Sequence, residues 1–176
     1  MNILGLDIST SVTGVAIIDE NENIIHQDAW KFTSKDFKDI FDKAQTVKNE
    51  LIKLDSKFDI TNIIIEQALF TFKPGKSSAQ TLSLLTKFNG IVSYLCWNQF
   101  HIKPEFIGAR SARKLCGLTI KKGQDSKKIV MQFLIDTCPE FNYRINKNGN
   151  IGAECYDIAD AIILAKAKCK MGKNVG

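Results

Sequence analysis

Three consecutive β-branched residues, Ile63-Ile64-Ile65, run without a polar break into an acid, Glu66. β-Branched side chains favour extended backbone. A strand with no polar alternate face has no side to turn to water. The run therefore predicts a strand covered on both faces, as in a parallel sheet flanked by helices.

The rest of the chain supplies such a design. Residues 3–7 and 13–18 read as two strands of a tight antiparallel hairpin around a Ser/Thr-rich turn, with Gly14 in the second. The Asp19-Glu20-Asn21 turn signal leads to a third strand, 24–32. Phe37, Ile40, Phe41, Ala44, Val47, Leu51 and Leu54 recur at three- and four-residue steps and predict a helix, with Ser34 as its N-cap. After Glu66 comes a loop, Pro74-Gly75-Lys76-Ser77-Ser78. A long helix over 78–98 follows, with Leu82, Leu85, Phe88, Ile91, Val92 and Leu95 on one side. A short strand at 103–107, helices at 110–116 and 125–137, and a last helix from Glu154 to Lys168 complete the chain. The expected architecture is α/β: a five-stranded mixed sheet with helices on both faces.

A chain of 176 residues, 44% hydrophobic and 24% charged, suits one domain with a real core. It has no eighteen-residue apolar run, so no transmembrane helix is expected. Its start, Ile3-Leu4-Gly5-Leu6, is strand-like rather than a secretory signal. The five cysteines are odd in number, widely spaced and without a C-x-x-C pair, which fits small core residues in a reducing compartment. The net charge of +5 favours a polyanionic partner only mildly. The basic residues are grouped, however: Arg110, Arg113 and Lys114; Lys121, Lys122, Lys127 and Lys128; and Lys166, Lys168, Lys170 and Lys173.

Four acids stand where acids are costly. Asp7 ends the first apolar strand, and Glu66 ends the most hydrophobic one. Asp157 and Asp160 sit among Ile158, Ala159, Ala161, Ile162 and Ile163, three apart and hence on one helix face. Carboxylates crowded near a core repel one another and lose hydration, a penalty that a bound cation reverses. Oxygen ligands suit Mg²⁺ or Mn²⁺. Taken singly, Asp7 also fits a loop cap and Asp160 a solvated face, so residue chemistry alone leaves both readings open.

These residues also carry a family likeness. The segment Ile3-Leu4-Gly5-Leu6-Asp7-Ile8-Ser9-Thr10-Ser11-Val12-Thr13-Gly14-Val15-Ala16 resembles the first hairpin of the RuvC Holliday junction resolvases. Ile64-Ile65-Glu66-Gln67 resembles their second acidic motif, and Tyr156-Asp157-Ile158-Ala159-Asp160-Ala161 their terminal D-x-x-D-A helix. Gly108-Ala109-Arg110 and Lys127 fall where the family has an A-A-R segment and a helix-opening lysine. The likeness spans nearly the whole chain. It departs from the family at Ile8-Ser9, where Pro-Gly is common, and in a longer connection over 139–153, features that fit a phage or viral type of member.

The resemblance implies an RNase H-like fold over residues 1–176, with three antiparallel strands followed by two parallel ones. It implies a crossover junction endonuclease acting on branched DNA in recombination, repair or phage genome processing. Catalysis would use two Mg²⁺ ions, or Mn²⁺, about 3.5–4 Å apart. Asp7 would bridge them, with Glu66, Asp157 and Asp160 as further ligands. Lys127 would stand near the scissile phosphate. Arg110, Arg113, Lys121 and Lys122 would hold phosphates, and Phe70 or Phe72 would stack on an unpaired base. The helix over 78–98 would form a homodimer matched to the two-fold symmetry of a four-way junction. The setting implied is the cytoplasm of a bacterium or of a phage-infected host.

Three rivals bear on this. A sugar-kinase or actin-like ATP-binding protein shares the hairpin with Ser9, Thr10, Ser11 and Thr13, but needs two copies of the fold. A non-catalytic nucleic-acid-binding protein on the same fold would not need all four acids. An RNase H acting on RNA–DNA hybrids carries its second acid on a helix, whereas Glu66 is expected to end a strand.

Overall fold

The computed structural model describes residues 1–32, 37–67 and 79–173. Strands β1 (Asn2–Asp7), β2 (Val12–Ile18) and β3 (Ile24–Lys31) precede helix α1 (Ile40–Asp55). Then come β4 (Ile60–Glu66), α2 (Ala79–Phe100), β5 (Glu105–Ile107), α3 (Ala109–Leu115), α4 (Ser126–Thr137) and α5 (Ala153–Lys173). The sheet order is β3-β2-β1-β4-β5. The first three strands pair antiparallel, and β4 and β5 add in parallel. This is the expected five-stranded mixed sheet.

Strand alternation sorts the core into two layers. Leu4, Leu6, Val15, Ile17, Ile63 and Ile65 face α1 and α2, where Val47, Leu51, Phe88 and Val92 are buried. Ile3, Ala16, Ile18 and Ile64 face α5, which is covered in turn by α3 and α4. From Ile158 to Ala167 every residue of α5 is buried. That is why apolar residues there occur on all sides rather than along one stripe, with Asp160 and Lys166 as the buried polar exceptions.

Glycine decides how near α5 comes to the sheet. A Cβ on Gly5 would overlap the Ala161 carbonyl and lie 3.0 Å from Ala165 N. One on Gly14 would overlap the Asp157 carbonyl and lie 2.9 Å from Ile158 N. Gly14 is also the register partner of Asp7. The helix backbone therefore rests on bare strand backbone beside the first acid.

Several expectations shift. Helix α1 starts later than the apolar stripe implied: Asp39 is its N-cap, accepting from Phe41 N at 2.7 Å and Asp42 N at 3.1 Å. Ser34 lies outside the described residues. Phe37 precedes the helix and packs edge-on against Phe32, while Phe41 is 69% exposed and off the core face. Asp39→Ala should cost about 1 kcal/mol of stability, read from the urea midpoint at unchanged m-value.

All five cysteines are free and buried, as expected of core residues, and burial pushes the Cys96 thiol up to about 12. The connection over 139–153 is tied to β3 and to the α5 side of the core. There the Gln27 amide donates to the Asn142 carbonyl and accepts from Asn142 N at 3.1 Å, and Phe141 is buried. Among the described residues no helix is long and apolar enough to cross a membrane.

Candidate active site

Strand direction brings the acids together. β1 and β4 are parallel neighbours, so Asp7 and Glu66 end side by side at the same edge of the sheet. Asp7 follows Ile3 and Gly5 on the face toward α5, and Glu66 follows Ile64 on that face. Helix α5, seated on Gly14, sets Asp157 and Asp160 above them. All four acids line one cleft of about 350 Å³, together with Ser9, Gln67, Asn89, Arg113 and Lys127.

Crowding shows in the proton affinities. Burial, then the charges of Glu66 and Asp160, hold the Asp7 carboxyl well above the ordinary carboxylate range, and a hydrogen bond shared with Glu66 adds to this. Glu66 is also raised, chiefly by burial. Its hydrogen bond with Asp7 and the nearby Arg113 and Lys127 pull the other way. Lys127 Nζ donates to Asp157 Oδ1 at 3.0 Å, and Arg113 Nη2 to Asp160 Oδ1 at 2.9 Å. Burial works to lower the Lys127 pKa, but the bond to Asp157 and the surrounding acids outweigh it and raise it.

The donor set suits a hard divalent cation: oxygen ligands only, and more carboxylates than the two basic groups can balance. As the side chains stand, Lys127 and Arg113 already engage two of the four. Among the described residues no three acidic, histidine or cysteine side chains enclose a common point. The chemistry fits a cation, for which Oδ1 of Asp157 and Oδ1 of Asp160 are at present engaged by basic groups.

The predicted contact residues divide. Arg110, Lys121 and Lys122 are exposed, in α3 and the turn leading to α4. Arg113 is drawn inward: its side chain is only 16% exposed and its guanidinium bonds Asp160 of the carboxylate cluster. The C-terminal lysines are committed elsewhere: Lys166 to the Glu22 carbonyl, Lys168 to Glu105, and Lys170 and Lys173 to the Glu22 carboxylate. Phe70 and Phe72 lie outside the described residues.

On α2, Leu82 and Leu85 line the cleft, while Phe88 and Val92 enter the core. Ser9 shapes the hairpin turn, accepting from Val12 N at 3.0 Å and donating to Val12 O at 2.6 Å. Asn89 was not anticipated: it is buried, lines the cleft, and donates to the Glu66 carbonyl at 3.2 Å. A lone amide within the apolar stripe of α2 was its signal.

The fold has solved counterparts. Thermus thermophilus RuvC, determined in complex with a Holliday junction substrate, matches with a TM-score of 0.66 at 10% identity, over 99% of this chain and 96% of that one. A second structure of Thermus thermophilus RuvC matches at 0.66 and 12% identity, over 99% and 97%. The yeast mitochondrial Holliday junction resolvase Ydc2 matches at 0.65 and 16% identity, over 98% of this chain and 79% of that one. No protein-family model and no curated protein matches the sequence. At these identities the likeness establishes the fold, which is the RNase H-like α/β arrangement expected from the sequence.

Proposed function

We propose that this chain, as one RNase H-like domain, is a divalent-metal-dependent endonuclease that hydrolyses phosphodiester bonds in branched DNA, four-way junctions among them. The observation that carries the reading is the convergence of Asp7, Glu66, Asp157 and Asp160 from two parallel strand ends and one helix into a single cleft with cationic groups at its wall. The fold held in common with RuvC and Ydc2 supports it.

The four carboxylates would hold a pair of Mg²⁺ ions, with Mn²⁺ as substitute; such ions, when bound, supply Lewis-acid charge and ease deprotonation of water. The chain's own part is positional. Asp7, in one cleft with Glu66 and the α5 acids, would be the ligand common to both ions. Lys127, with half its side chain exposed, presents an ammonium to the strand and offsets charge that builds at the phosphate. Arg110, Lys121 and Lys122 supply the exposed charge that holds flanking phosphates.

Four-way, three-way and linear duplex DNA of matched length, each incubated with Mg²⁺, Mn²⁺, Ca²⁺ or chelator, test the proposal. Branched substrates should be cut first, with Mg²⁺ or Mn²⁺ only. Undiminished cutting in chelator, or equal cutting of linear duplex, would overturn it.

A homodimer is part of the same proposal, through a different face of α2 from the apolar stripe. Tyr94 and Trp97, 58% and 45% exposed and in ring contact at 5.9 Å, point away from the core, and a Cβ on Gly90 would meet nothing within 4 Å. Large exposed aromatics beside a glycine suit close approach of a second helix. The double substitution Tyr94→Glu, Trp97→Glu should give folded monomers by sedimentation velocity, with paired incision lost more than linear-duplex affinity. A wild-type chain that sediments as a monomer even with junction DNA would remove the dimer and leave a nuclease.

A further inference from the structure

Arg113 borders two spaces. Toward α5 it lines the carboxylate cleft, where one Nη bonds Asp160. On its other side it lines a second depression of about 450 Å³ with Arg110, Lys114, Leu118, Ile120 and Ser126. The cleft is acidic, whereas no acid among the described residues lines the second space.

Its hold on Asp160 is incomplete. Arg113 Nε is buried and has no hydrogen-bond partner among the described residues, so the guanidinium does not grip the carboxylate with the two parallel bonds that arginine can make. A buried donor left unpaired is costly, and it is tolerated here because the surrounding acids demand a positive charge. A doubly charged ion meets that demand better than one guanidinium.

We propose that Arg113 is a displaceable counter-ion: it neutralises Asp160 until a divalent cation takes that carboxylate, and then turns into the Arg110–Lys114 depression to bind a phosphate of the DNA strand. The inference rests on the metal-dependent nuclease reading. It assigns the second depression to a phosphate flanking the cut. It also couples the two ligands: what the metal gives to DNA affinity, DNA gives to metal affinity by the same factor.

The full chain has three arginines, Arg110, Arg113 and Arg144, so their Nε–H signals can be followed by NMR with labelled arginine and assigned with Arg113→Lys. In chelator the Arg113 Nε–H should exchange slowly with solvent. At saturating Mg²⁺, without DNA, that protection should be lost. A signal that stays protected with Mg²⁺ bound overturns the displacement.

Calorimetry gives the second arm: Arg113→Met should bind Mn²⁺ roughly tenfold more tightly than wild type, because the competitor is gone. Equal or weaker binding by the variant overturns the proposal, and if the variant does not fold, the titration of the unmutated chain decides. If neither protein binds Mn²⁺ or Mg²⁺ at all, the nuclease reading itself falls, which is a different result from metal binding that leaves Arg113 in place.

Discussion

Replacing Asp7 with asparagine should make the protein inert and harder to unfold at once. The amide keeps the shape of the side chain and removes one negative charge from a cluster of four acids. Metal-dependent cleavage should fall by at least about three orders of magnitude, since the shared ligand charge is worth several kcal/mol in the transition state. Stability in chelator should rise by about 1–2 kcal/mol, or about 2–8 °C in Tm.

The pH dependence follows from the sign of the shift. The folded-state pKa of Asp7 is raised above its unfolded value, by burial first and by Glu66 and Asp160 next. Such a group contributes full stability below its unfolded pKa and loses that contribution as pH rises through the folded value. Wild type and variant should therefore melt alike in acid and diverge toward neutral pH, with the variant higher. Mn²⁺ should restore the wild type by mass action and leave the variant nearly unmoved. Melts from pH 4 to 8 with and without metal, beside a cleavage assay, check both halves. A variant that cuts at near wild-type rate, or that melts lower at neutral pH, would remove Asp7 from its assigned place.

The smallest substitution with a large effect is Gly14→Ala. One methyl group would overlap the Asp157 carbonyl and press on Ile158 N, both backbone atoms of α5 where its buried stretch begins. Neither can swing aside as a side chain would, so α5 must lift from β2. Overpacking of this kind costs about 1–3 kcal/mol and sometimes more. The displaced segment carries Asp157 and Asp160, and a misplacement of about 1 Å at a reacting centre can cost about a hundredfold in rate. The variant should be destabilised by roughly 3 kcal/mol and, where folded, cut about a hundredfold more slowly. Gly172→Ala, in the exposed last turn of α5 with open space around it, is the matched control for stability and should change it little. Gly14→Ala with wild-type melting and wild-type cutting would show that the helix does not depend on that contact.

Much of this was legible because the signals are local. The isoleucine run announced β4 with its acid at the end, the hairpin was readable from its turn, and the three-residue spacing put Asp157 and Asp160 on one face. What escaped was mostly long-range pairing. Arg113 and Asp160 are 47 positions apart, and nothing near either residue distinguishes a cation committed to an acid from one awaiting a phosphate. The lysines of α5 form one of the basic groups in the sequence, but Glu22, near the other end of the chain, holds Lys166 by its carbonyl and Lys170 and Lys173 by its carboxylate. The start of α1 was misjudged for a different reason. Phe37 and Phe41 continue the helical spacing, yet Asp39 between them offers a carboxylate that caps the helix only if it begins at residue 40.

The Gln27–Asn142 pairing bears on how copies of this chain can assemble. A sheet with an open flank is a template for another strand, and growth by that route has no natural end. Here the Gln27 side chain ties β3 to the 139–153 connection, its amide group donating to the Asn142 carbonyl and accepting from Asn142 N. The opposite flank, β5, is three residues long, and its Glu105 is paired with Lys168 at 2.5 Å. The β5 border is too short to propagate, and at β3 the 139–153 connection stands beside the strand's start, where Glu140 Oε1 accepts from Ile24 N at 3.4 Å. In the proposed dimer, self-association would instead use the outer side of α2, where a two-fold contact closes on itself and stops at a pair.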